Sequence, residues 1–152
     1  MDIQIIKGNL THVSDCEAAL THSSLGAHYF EKEGSARKAI EEGLSSGELY
    51  VAMVQGRCAG FIFFLPEGAF HSFPYLHVVA VKAEYRSLGI GKKLVDFFEN
   101  AVPRDKYFLV VADFNPDAKR FYERIGYKQV GAIPGLYREG ITEYLMMKEK
   151  SR

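Results

Sequence analysis

The chain carries no surplus of charge: nineteen basic and nineteen acidic side chains cancel. That excludes a nucleic-acid or anionic-membrane partner held by bulk charge. Cysteine is scarce. Cys16 and Cys58 are the only two, they lie far apart, and neither sits at metal-ligand spacing. The five histidines are scattered, with no HxxxH and no clustered Cys/His tract. A disulfide framework and a metal centre are both disfavoured, and free thiols of a reducing cytoplasm are expected. Long hydrophobic runs are missing too. The longest stretch without Asp, Glu, Lys or Arg, Gly68 to Val81, is interrupted by His, Ser and Pro and falls short of the roughly 20 apolar residues of a bilayer span. Met1 to Lys7 runs straight into a strand-like pattern and lacks the apolar core of a signal peptide. The expectation is a soluble, cytoplasmic protein with no membrane partner.

What is present is core material. Hydrophobic residues make up 47% of the chain, with nine tyrosines and eleven phenylalanines among them. A single domain over 1–152 is expected, burying roughly 70% of the surface its unfolded chain exposes. Ile3–Lys7 alternates as a first strand. Ser14-Asp15-Cys16-Glu17 has the form of a capping box, with Val13 placed to staple against Ala18, which predicts a helix from about Asp15. Residues 21–34 read as a polar, glycine-containing connection with Tyr29 and Phe30 embedded. Ser35–Leu44 reads as a helix ended by Ser45-Ser46-Gly47.

Leu49–Val54 and Cys58–Leu65 are expected strands joined across Gln55-Gly56-Arg57. Pro66 to Pro74 reads as a loop and Tyr75–Val81 as the central strand. A helix over Gly91–Ala101 stops before Pro103, and Tyr107–Ala112 is a continuous apolar run suited to a buried strand. Asn115 then fits an N-cap, Pro116 the first helical position and Asp117 the positive end of the dipole. Ala118, Phe121, Tyr122 and Ile125 form that helix's apolar face, and Gly126 suits its C-terminal end. Tyr127–Ala132 and Thr142–Lys148 complete the pattern as two strands. The order implies an α/β class with a mixed sheet.

The most informative stretch joins Val78-Val79-Ala80-Val81 to Arg86-Ser87-Leu88-Gly89-Ile90-Gly91. A strand, a turn and a glycine-spaced loop open a helix there. Unpaired N–H groups at the positive end of a helix suit a phosphate or pyrophosphate. A Walker A loop would need a glycine at position 86 and a hydroxyl at 93, where Arg86 and Lys93 stand. A dinucleotide fingerprint would need a third glycine where Leu94 stands. Both fail.

Arg-x-x-Gly-x-Gly after a strand ending in Val-x-Val resembles the GNAT superfamily of N-acetyltransferases. A second stretch, Asn115-Pro116-Asp117-Ala118-Lys119-Arg120-Phe121-Tyr122-Glu123-Arg124-Ile125-Gly126-Tyr127, is similar to that family's Asn-x-x-Ala-x-x-Phe/Leu-Tyr-x-x-x-Gly-Phe/Tyr signature. The resemblance implies a mixed, mostly antiparallel central sheet with flanking helices. It also implies acetyl-CoA as the acyl donor, without a metal. Arg86, Ser87, Leu88, Gly89, Ile90 and Gly91 would wrap its pyrophosphate. Val79, Ala80 and Val81 would pair with the pantetheine arm through their backbone, with an N–H near Val79 facing the thioester oxygen.

Acetylating an amine from a thioester needs a neutral amine, a stabilised oxyanion and a proton for the departing thiolate. A lysine-type amine with a pKa near ~10.4 is neutral in roughly one molecule in two thousand at pH 7. By the resemblance, Tyr122 is the general acid and Asn115 contacts the pantetheine; by residues alone they are a core aromatic and a plain N-cap. His77, on the strand face shared with Tyr75, Val79 and Val81, stands where many members carry glutamate. It is the first choice for the base, directly or through water, against a half-buried histidine bonded to a carbonyl. Tyr29 and Phe30 fall in the region that forms the acceptor wall in this family, and also suit the core. Cys16 and Cys58 lack a nucleophile's context, so direct attack in a ternary complex is preferred over an acyl-enzyme. The acceptor is expected to be a small-molecule primary amine. A protein N-terminus, or a CoA-sensing module without turnover, are the alternatives. Family habit admits a homodimer.

Overall fold

The computed structural model describes residues 2–151. Residues 1 and 152, the ends of the expected domain, lie outside the described residues. Seven strands form one mixed sheet in the order β1-β2-β3-β4-β5-β7-β6. They are β1 (Ile3–Lys7), β2 (Leu49–Val54), β3 (Arg57–Ala69), β4 (Phe73–Val81), β5 (Lys106–Ala112), β6 (Lys128–Pro134) and β7 (Thr142–Glu149). The helices are α1 (Val13–Thr21), α2 (Ser24–Tyr29), α3 (Ser35–Ser46), α4 (Ile90–Ala101) and α5 (Pro116–Arg124). The chain divides into two compact units, one of residues up to Phe64 with Val78–Asn100, the other of Leu65–His77 with residues from Ala101 onward. The strands β3 and β4 contribute residues to both.

In the first unit β1, β2 and β3 pair antiparallel, with Ile5 opposite Ala52 and Val51 opposite Phe61. Gln55 and Gly56 both take positive φ, 51° and 77°, as the two-residue hairpin turn requires. Leu20, Ile40, Leu49, Phe61, Ile62, Ile90, Leu94 and Phe98 are fully buried. Each such side chain contributes about 1.5–3 kcal/mol of hydrophobic stabilisation. α4 supplies Ile90, Leu94, Val95 and Phe98 to that core, the spacing of one helix face.

In the second unit β5 and β7 pair antiparallel from Lys106↔Glu149 to Ala112↔Glu143, and β7 carries β6 on its other side. β4 meets β5 in parallel, with Tyr75 opposite Phe108. The buried Tyr107 donates through its hydroxyl to Val102 O at 2.7 Å and accepts from Arg104 N at 2.9 Å, which fixes the turn before β5.

Three expectations need correction. The helix α1 starts two residues early and Ser14 does not cap it. A 3-10 turn over Leu10–His12 runs directly into it, and the capping box belongs to Asn9 and His12. Asn9 Oδ1 accepts from Thr11 N at 2.9 Å, while His12 Nδ1 accepts from Asn9 N at 3.1 Å. Ser14 is simply an exposed first-turn residue. Second, residues 21–34 contain the helix α2, capped by Ser23. Third, Pro66 does not end its strand. The pairing of β2 with β3 stops at Leu49↔Phe63, so Pro66 lies past the last β2 partner and breaks no ladder bond on that side. The return to β4 is made at Phe70 and His71, both with φ of 57°.

Candidate active site

One group of candidate residues is the loop between β4 and α4. Lys82 N donates to Ala59 O at 2.8 Å, so the main chain of Lys82, and by alternation that of Ala80, faces β3. The main-chain groups of Val79 and Val81 face the other way. Val81 O is already taken there, by Arg86 Nε at 3.1 Å. Of the three strand residues expected to pair with a ligand, Val79 and Val81 therefore turn their main-chain groups away from β3.

Ser87 and Gly89 take positive φ, 65° and 81°. These two left-handed residues turn the chain into α4. Among the described residues, no protein acceptor receives the N–H groups of Ser87, Leu88, Gly89, Ile90 or Gly91; the first bond of the new helix runs from Lys93 N to Gly89 O at 3.1 Å. A Cβ built on Gly89 meets nothing within 4 Å, so the space beside it is open. Main-chain donors at the start of a twelve-residue helix, with open space beside them, could hold a phosphate or diphosphate. Arg86 is exposed, and a second guanidinium nitrogen donates to His22 O at 3.2 Å. Lys92 is paired with Asp96 at 2.7 Å.

A second group of candidate residues lies in the other unit. Asn115 caps α5, its Oδ1 accepting from Ala118 N at 3.3 Å. The amide nitrogen of Asn115 has no protein partner among the described residues and keeps its donors. Tyr122 is 7% exposed, its ring edge-on to Phe121 at 5.1 Å and to Tyr127 at 5.9 Å. Its carbonyl receives Tyr127 N at 3.0 Å, which closes the α5–β6 turn. Every deeply buried polar side-chain atom among the described residues is hydrogen-bonded, yet the Tyr122 hydroxyl bonds no protein group, so it reaches accessible space. Burial raises the Tyr122 phenol well above the ordinary tyrosine range, and it holds its proton at neutral pH.

His77 is exposed on β4, with its ring 6.0 Å from that of Tyr75. Tyr29 and Phe30 are half-buried at the end of α2. Phe30 lines a cavity of about 350 Å³ with Glu17, Thr21, Glu31 and Glu33. Cys16 and Cys58 are buried against each other. The hydrogen bond between them, then burial, raises the Cys16 thiol, which makes it a poor nucleophile.

Three residues of that second unit escaped the sequence reading. Tyr75 Oη lies 3.4 Å from Tyr137 Oη, and burial followed by that hydrogen bond raises the Tyr75 phenol, with the charge of Glu143 adding to it. Glu143 is 2% exposed on β7. The place of Tyr75 two residues before His77, on the same face, was a usable signal. Nothing in the local pattern marks Tyr137 or Glu143.

A model of the acetyltransferase (GNAT) domain family matches residues 18–150, with both groups of candidate residues inside the match. The chain belongs to this family. An uncharacterized N-acetyltransferase of Methanocaldococcus jannaschii is 36% identical over 106 residues, covering 66% of this chain and 65% of the relative. An N-alpha-acetyltransferase of Sulfurisphaera tokodaii is 32% identical over 110 residues, covering 64% of this chain and 66% of the relative. The chain thus spans about two thirds of the length of the curated relatives it matches. Among solved structures, an aminoglycoside 6′-N-acetyltransferase complexed with coenzyme A superposes with a TM-score of 0.78 at 22% identity, covering 100% of this chain and 99% of that one. The GNAT fold, a mostly antiparallel sheet with flanking helices, is established by these matches. Among the described residues no helix is long and apolar enough to cross a membrane.

Proposed function

We propose that the chain is an acetyl-CoA-dependent N-acetyltransferase, a single domain made of both units, that acetylates the primary amine of a small molecule by direct attack in a ternary complex. The carrying observation is the loop from Ser87 to Gly91, whose main-chain donors have no protein acceptor among the described residues where α4 begins. Membership of the GNAT family and the coenzyme A complex of a structural neighbour support it.

When bound, acetyl-CoA supplies an activated acetyl thioester. The amides of residues 87–91 hold the diphosphate, and the Asn115 amide nitrogen and the main chain of Val79 hold the pantetheine arm. Val79 N–H is also the donor for oxygen charge that develops at the reacting carbonyl. Tyr122 Oη keeps a proton to give to the departing sulfur. His77 takes the proton of the attacking amine, directly or through one water.

Isothermal titration is the first test. Acetyl-CoA and CoA should both bind, and no binding at millimolar ligand would overturn the proposal. An amine panel of polyamines, amino acids, aminoglycosides and N-terminal peptides then tests the acceptor. The name of the Sulfurisphaera tokodaii relative favours a second reading, a protein N-terminus, and a clear peptide preference would establish it over the small molecule. Binding without turnover of any amine would leave a CoA-sensing module.

His77→Ala should remove the acidic limb of the kcat/KM pH profile and recover part of its activity at high pH, where the free amine needs no enzyme base. An unchanged profile would leave water as the proton acceptor.

A further inference from the structure

Two guanidinium nitrogens of Arg86 donate to backbone carbonyls of its own unit, Val81 O at 3.1 Å and His22 O at 3.2 Å. His22 closes α1, and the next residue, Ser23, caps α2. That corner is stiff. Ser23 Oγ donates to Leu20 O at 2.6 Å and accepts from Gly26 N at 3.0 Å. Only glycine fits at the contact between the two helices, because a Cβ on Gly26 would lie 2.0 Å from Leu20 O. α1 and α2 therefore shift as one piece, carrying Tyr29 and Phe30. A second link runs from the same loop: Lys82 Nζ pairs with Asp15 in the first turn of α1. Residues 82–86 thus grip α1 at both ends.

We propose that Arg86 is a positioning residue that fixes the α1–α2 corner, and with it Tyr29 and Phe30, in register with the cofactor loop. The inference rests on the function proposed above, with the loop as the cofactor side, and takes the cavity that Phe30 lines as the acceptor side. A guanidinium suits the task because its planar fork reaches two carbonyls at once. The loop's own ligand donors are main-chain amides, so Arg86 is not needed among them.

The test compares wild type, Arg86→Ala and Arg86→Lys, the last keeping the charge but reaching a single carbonyl. Amide hydrogen exchange over residues 20–30 is read without any ligand, CoA affinity by calorimetry, and acceptor KM separately from kcat. In Arg86→Ala, exchange at 20–30 should quicken by about tenfold or more, with Arg86→Lys between it and wild type. Acceptor KM should rise by a larger factor than the Kd for CoA. Unchanged exchange in Arg86→Ala would overturn the proposal. So would a CoA affinity loss far exceeding the change in acceptor KM, which would make Arg86 a phosphate ligand. A wild-type protein that bound no CoA would refute the proposed function instead, while the exchange comparison would still decide the tether.

Discussion

Tyr122→Phe should lower kcat by about 10²-fold or more while leaving CoA affinity and the melting temperature close to wild type. The substitution removes one oxygen from a ring that is 7% exposed. That oxygen bonds no protein group among the described residues, so its loss strands no buried partner. Packing against Phe121 and Tyr127 survives. The raised phenol sets the pH behaviour as well. A group kept protonated above its ordinary range can act as an acid through neutral and mildly alkaline pH, so the alkaline loss of this step belongs above the ordinary tyrosine value of about 10. Steady-state kinetics with single-turnover rates and calorimetry check the set. A Tyr122→Phe enzyme with wild-type single-turnover rate would return the residue to a packing role.

The other large effect is expected at Gly89. Its φ of 81° is a conformation that costs a side chain roughly 1–2 kcal/mol, and more for a β-branched one. Gly89→Val should therefore both strain the loop and project methyl groups beside the donors meant for the diphosphate. Charge-assisted hydrogen bonds are worth about 1.5–3 kcal/mol each, so losing one or two predicts a fall in CoA affinity of about a hundredfold. Gly89→Ala should fall between. Because nothing lies within 4 Å of the added Cβ, the fold itself should tolerate the change. Calorimetry on protein shown to be folded by circular dichroism is the measurement. Normal CoA binding by a folded Gly89→Val would remove the loop from the cofactor site.

The parts of this structure that were legible in sequence are those governed by local rules. Gln55-Gly56 announced a turn because two consecutive left-handed residues favour glycine and its like. Asn115-Pro116-Asp117 announced α5 because cap, first-turn proline and dipole charge all act within one turn. The parts that stayed hidden depend on partners distant in sequence or on unusual residues in a usual role. Asn9 is capped reciprocally by a histidine ring instead of a glutamate, so the more familiar Ser14–Glu17 pattern drew the helix start away from its true place. α2 has six residues including a glycine, and its place comes from the contact at Gly26 more than from intrinsic preference. The Phe70-His71 turn carries none of the glycine or asparagine its backbone would normally select. At the candidate site, the strand, loop and helix around Gly89 could be read from residue order. The proximity of Tyr75 to Tyr137, 62 residues apart in sequence, could not.

The balance of charge bears on how fast a ligand arrives. With nineteen charges of each sign, the protein has little long-range field with which to gather a polyanion. Capture must then wait for contact. Association belongs in the unsteered range of about 10⁵–10⁷ M⁻¹s⁻¹ and should change little with ionic strength. On the function proposed, residence time, set by how many amides close on the diphosphate, is then the quantity that loop variants should change most.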